Sequence, residues 1–114
     1  MTPADALDQH RRFIRENGGT IQVRRYSGTG AARTHIDTPT LARVMGYQPK
    51  EIVGSIVQGD RKVIALVDTL SAILPLTNDD KLVIRGIEVA ILAVDDETRR
   101  IQGTLIALEI QVRG

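Results

Sequence analysis

At Asn17-Gly18-Gly19 the hydrophobic period of the chain changes from helical to twofold, and that change limits the fold more than any other feature of the sequence. Ahead of it, Thr2 is a candidate N-cap, Pro3 takes the first helical position and Asp5 follows three residues after the cap, close to a capping box. Leu7 and Ile14 are spaced seven apart, with Ala6, His10 and Phe13 on a neighbouring stripe. Arg11, Arg12 and Arg15 gather where a helix dipole favours cations, and the glycines stop the run. The pattern predicts one amphipathic helix over residues 3–16.

Beyond the glycines, apolar and polar residues alternate as strands require. Residues 20–26 place Ile21 and Val23 on one face against Gln22 and Arg24, and residues 38–46 read as a second strand with Pro39 marking an edge or a start. Between them, residues 27–35 are small, flexible and basic, too long for a tight hairpin, and predict a protruding loop. From Ile52 the chain reads as a meander: strands near 52–57 and 61–67 around Gln58-Gly59-Asp60, an irregular link or short helical turn over 68–76, then strands at 81–85 and 87–94 joined by Arg85-Gly86. Residues 95–102 read as a charged turn before the clearest strand, in which Thr104, Ile106, Leu108, Ile110 and Val112 share one face and Ala107, Glu109, Gln111 and Arg113 the other. The segment 87–94 is apolar on both faces, so the helix is expected to cover part of its second face and a partner subunit the rest. The fold class predicted is mainly β: a single domain over 1–114, with residues 1–19 as helix and cap and 20–114 as a small antiparallel β-barrel or sandwich of six to seven strands.

Composition narrows the function. Hydrophobic residues make up 42% and aromatics only 3% (Phe13, Tyr26, Tyr47), while Ile and Val number 23, so the core is β-branched. The absence of Cys removes thiolate zinc sites, iron–sulfur clusters and Cys nucleophiles. No apolar run approaches the roughly 18–20 residues that span a bilayer, and the start of the chain lacks the pattern of a signal peptide, so a cytoplasmic place of synthesis and assembly is expected. The net charge of +1 conceals a basic first third: residues 1–36 hold six Arg against three acids, and residues 37–114 nine bases against eleven acids.

Motifs for catalysis and cofactors are weak. Ser27-Gly28-Thr29-Gly30 lacks the Lys-Ser/Thr of a phosphate loop, Arg33 stands where a dinucleotide fingerprint has its third glycine, and a strand follows where a helix is needed. Asp79-Asp80 and Asp95-Asp96-Glu97 lack the alternation of a calcium loop and read as solvated turns. His10 reads as a half-buried helix residue and His35 as exposed; neither has a nucleophile elbow or a ligand cluster beside it. The expectation is no enzyme, no cofactor and no metal. Arg11, Arg12, Arg15, Arg24, Arg25 and Arg33 can guide a phosphate backbone or form a solvated cationic face, whereas three scattered aromatics make no base-stacking platform.

Four strings, RRYSGTGAART (24–34), QGDRKVIAL (58–66), NDDKLVIRGIEVAILAVDDETRR (78–100) and ALEIQVRG (107–114), resemble the head-completion or head–tail connector proteins, stopper type, of tailed phages and gene transfer agents. That resemblance covers about residues 20–114 and implies a small β-barrel in a six- or twelve-fold ring of the virion neck. Portal and adaptor would lie above it and tail terminator or tail tube below, with packaged double-stranded DNA, read without sequence specificity, in the channel. By the same resemblance the loop at 27–36, with Arg24, Arg25, Ser27, Gly28, Thr29, Gly30 and Arg33, is a candidate to face the channel or a neighbouring ring. The loop Tyr47, Gln48, Pro49, Lys50 and Glu51 is the second candidate. Two other readings stay open: a tail terminator or tail-tube ring protein, and a host β-barrel that binds nucleic acid.

Overall fold

The computed structural model describes residues 1–114. One helix, α1 (Pro3–Asn17), precedes eight strands: β1 (Gly19–Ser27), β2 (Thr34–Gly46), β3 (Arg61–Leu66), β4 (Lys81–Ile84), β5 (Ile87–Asp95), β6 (Arg100–Ile101), β7 (Thr104–Leu105) and β8 (Ala107–Arg113). Six of them close an antiparallel barrel in the order β1-β2-β3-β8-β5-β4, and β6 and β7 form a separate small hairpin. Closure leaves no unpaired edge around the barrel wall. The predicted class is met, with β6 emerging inside the segment expected to be a turn and β7 taking the first residues of what was expected to be one continuous last strand. No helix is long and apolar enough to cross a membrane.

The interior is aliphatic throughout. Val23, Ala42, Val63, Leu82, Val89, Ile91, Leu108, Ile110 and Val112 fill it from the six strands, and Leu70 and Leu76 of the link between β3 and β4 plug one end. The alternation of 104–112 holds along β8, except that two residues of its outer face, Ala107 and Gln111, are also buried.

The helix begins with a complete capping box: the Thr2 hydroxyl accepts from the Asp5 amide at 3.1 Å and the Asp5 carboxylate accepts from the Thr2 amide at 3.2 Å. A helix of this length is marginal alone in water, so docking sustains it. Ile14, fully buried, packs with Ile64, Leu66 and Ala107 on the outside of the barrel, a contact worth about 1.5–3 kcal/mol for that side chain. Helix α1 thus lies against β2, β3 and β6 rather than over β5, the strand it was expected to cover.

Strand β5 is instead resolved by a β-bulge. Ile91 pairs with Val112 and Ala93 with Gln111, so Leu92 is the extra residue. The insertion returns Val94 to the core beside Ile91, which is why the sequence looked apolar on both faces. The segment 52–57 is not a strand; it forms turns that fold back on β8. Its backbone groups go elsewhere: the Val57 amide donates to the Asp60 carboxylate, and the Ser55 carbonyl accepts from Gln111.

Candidate functional site

Strands β1 and β2 continue past the barrel as a two-stranded ribbon. Strand β4 pairs with β1 only from Gln22 to Arg24, and β3 with β2 only from Ala42 to Gly46, yet β1 and β2 stay in register out to Ser27 and Thr34. The loop expected at 27–35 is therefore shorter, residues 28–33, and Ser27, Thr34 and His35 are strand. Gly28 and Gly30 take positive φ (80° and 56°), which carries the chain into a short 3₁₀ turn at Gly30–Ala32. Ser27, Gly28, Thr29, Gly30 and Arg33 are all exposed at the tip.

The outer face of the ribbon holds an ordered cluster. Cross-strand register sets Arg24 opposite Asp37 and Tyr26 opposite His35. Arg24 donates from Nε and Nη2 to the two Asp37 oxygens at 2.9 and 3.0 Å, and from Nη1 to Glu88 at 3.3 Å. The Tyr26 hydroxyl donates to the same Glu88 oxygen at 2.5 Å, and His35 meets the Tyr26 ring edge-on at 5.6 Å. The Arg33 guanidinium lies over the other part of this assembly, 3.9 Å from the Tyr26 ring centroid. Arg24 holds the Asp37 carboxyl below its usual range, and Tyr26, then Arg24, do so for Glu88.

Arg25 points to the opposite face and closes the barrel end. It donates to both oxygens of Asp80 at 2.9 and 3.0 Å and to the Ile73 carbonyl at 2.7 Å. Asp80 is almost completely buried, so the reading of Asp79-Asp80 as a solvated turn is corrected: Asp79 is exposed, and Asp80 is the anchor of Arg25. Asp95 does organise its turn, accepting from the amides of Glu97 and Thr98. Of the basic candidates, then, the structure places Arg24 and Arg25 in bidentate carboxylate pairs and leaves Arg33 at the tip without one.

The second candidate loop stands at the other end of the barrel, because it joins the end of β2 to the start of β3. Pro49–Glu51 form a 3₁₀ turn, closed by the Glu51 amide donating to the Gln48 carbonyl and the Gln48 amide donating to the Glu51 carboxylate, both at 2.8 Å. Glu51 accepts from Lys62 at 2.9 Å, and Lys62 lies 5.4 Å from the Tyr47 ring centroid. Burial pushes the Tyr47 hydroxyl pKa up. Gln48, Pro49 and Lys50 are exposed.

His10 is half-buried and His35 exposed, as their positions suggested. Of the acids that organise the ribbon, Glu88 was not singled out from the sequence, Asp37 was not paired there with Arg24, and Asp80 was read only as part of a solvated turn. The alternation of β1 and β2 carried a signal for Asp37 once their register is known; Glu88 and Asp80 come from more than 50 residues away and carried none. Comparison with known proteins finds no family model and no curated protein that matches the chain.

Proposed function

We propose that the chain is a non-enzymatic structural protein of a phage-like virion neck, a stopper-type ring component that joins the portal and adaptor to the tail and seals or gates the DNA channel. The observation that carries this reading is the two-ended layout. A closed, rigid barrel sends a β-ribbon with a glycine-rich, Arg-bearing tip out of one end and a short ordered loop out of the other, which suits a subunit contacting different neighbours above and below. The molecule is correspondingly elongated, 48 × 34 × 25 Å. In a ring, exposed apolar side chains such as Ile36 and Leu92 would be buried between copies. Arg33 would meet DNA phosphates through charge alone, without reading bases. Arg24 and Arg25 would serve as struts: their carboxylate partners hold the ribbon at a fixed angle to the barrel.

Negative-stain imaging of particles assembled with and without the chain tests the proposal. Without it, heads are expected to lose packaged DNA or to lack tails; DNA-filled heads that keep their genome and carry tails normally would refute it.

A further inference from the structure

The end of the barrel opposite the ribbon is an open mouth. The starts of β1, β3 and β5 and the ends of β2, β4 and β8 surround a cavity of about 630 Å³. Ile21, Ala42 and Ile84, all buried, form its floor, and Ile87 stands at its rim 62% exposed. Arg61 and Arg85 also line it, and no Asp or Glu side chain does. Among the arginines, ion pairs engage Arg11, Arg24, Arg25, Arg99, Arg100 and Arg113; Arg61 and Arg85, like Arg12, Arg15, Arg33 and Arg43, enter none.

Two guanidiniums without carboxylates, set beside an apolar floor in a half-enclosed space, make a site for anions that also bring aliphatic surface. Restricted solvent strengthens the charge interaction, and the planar fork of Arg matches a carboxylate in two parallel hydrogen bonds. No aromatic residue lines the cavity, so a nucleobase finds no stacking partner there. Gly19 at the border, with nothing within 4 Å of where a Cβ would stand, presents bare backbone to an approaching chain.

Arg85 adds a second observation. It sits in the two-residue turn between β4 and β5 with φ 53°, next to Gly86 at 77°. Such a turn favours Asn or Asp before the glycine, since a side chain like that of Arg is disfavoured at positive φ. Arginine is thus held at the mouth in a conformation that backbone preference alone does not select.

We propose that the mouth is a docking site for an acidic, aliphatic segment of a partner protein, its carboxylates taken by Arg61 and Arg85 and its aliphatic side chains by Ile21, Ile84 and Ile87. Docking there is independent of what the ribbon does at the far end.

Fluorescence polarisation with the labelled peptide Gly-Leu-Glu-Asp-Leu-Glu-Leu-Gly, and with Gly-Leu-Lys-Lys-Leu-Lys-Leu-Gly as its basic counterpart, tests this. The acidic peptide binds saturably, at least about tenfold tighter than the basic one, and weakens with added salt. Arg85→Asn lowers its affinity about tenfold while the melting temperature holds or rises, because Asn suits the turn; Arg61→Gln does the same to binding. Amide shifts in the ¹⁵N spectrum fall on Gly18, Gly19 and Gly86. The proposal is overturned by equal binding of the two peptides, by no saturable binding, by shifts on Gly28 and Gly30 of the ribbon instead, or by a DNA duplex that displaces the peptide through the same two arginines. Wild-type binding by folded Arg85→Asn and Arg61→Gln proteins overturns it as well.

Discussion

Gly18 shows how a residue can be legible in the sequence for one reason and needed for another. The sequence marks it as a helix stop, and α1 does end there, its last amide donating to the Ile14 carbonyl at 2.6 Å. Its φ, however, is −137°, ordinary extended backbone rather than the left-handed cap that glycine usually supplies. What requires glycine is close approach: a Cβ here would lie 2.3 Å from the Ala42 carbonyl oxygen, and neither partner can swing away because both are main chain. Gly19, its neighbour, has nothing within 4 Å of the same position. Gly18→Ala is therefore expected to cost about 1–3 kcal/mol in chemical denaturation, the range of a forced overpacking. Gly19→Ala is expected to be neutral or slightly stabilising by removing freedom from the unfolded chain. Equal stabilities for the two variants would show that α1 does not press on β2 as described.

Among the elements, those whose signal is local were readable and those whose signal is a pairing were not. The capping box, the helix, the Arg85-Gly86 turn and the alternation of β8 all follow from neighbours within a few residues, and all are present. The ribbon was misjudged because residues 34–37 follow a run of small residues and include Asp37, and what places them in the strand is their register with β1. Strand β5 was misjudged because a bulge shifts the period by one, and the frame of the pattern with it. The bulge makes a sharp expectation. Deleting Leu92 leaves Ile91, Ala93 and Val94 in regular alternation, so both core side chains still point inward and the protein keeps a cooperative melt and a dispersed amide spectrum. Deleting Ala90, two residues away, sets Val89 beside Ile91, forces one of two fully buried side chains outward and is expected to abolish folding. Survival of the second deletion together with loss of the first would mean that the extra residue lies elsewhere.

Seen as a whole, the barrel carries at each end one buried aspartate taken up by an arginine, and neither pair could be read from the sequence because its partners lie 53 and 55 residues apart. At the mouth, Asp60 accepts from Arg113 at 2.7 and 2.9 Å, from Gln111 at 2.9 Å and from the Val57 amide at 3.1 Å, tying residues 52–60 to β8. At the ribbon end, Asp80 receives Arg25 and the Thr77 amide at 3.0 Å and ties down the link from β3. Arg113, aided by the Val57 amide and Gln111, outweighs burial and holds the Asp60 carboxyl far below its usual range. Burial raises Asp80, but Arg25 and Thr77 together outweigh it and leave it lowered as well. Groups with depressed folded values stabilise the fold fully above the unfolded value, about 3.9 for Asp, and that contribution disappears as pH falls through the folded values. Stability is therefore expected to be level from neutral pH down to about 4 as far as these two groups decide it, and to fall below that. Asp60→Asn and Asp80→Asn should each lower the melting temperature at pH 7, since each leaves a guanidinium without its counter-ion, and each should flatten the acid limb of the stability profile. Because the two pairs sit at opposite ends, the double variant should flatten it by the sum of the two. Thermal melts of the four proteins from pH 7 to pH 2.5 decide the matter: an acid limb unchanged in the double variant would place the titrating carboxylates elsewhere in the molecule.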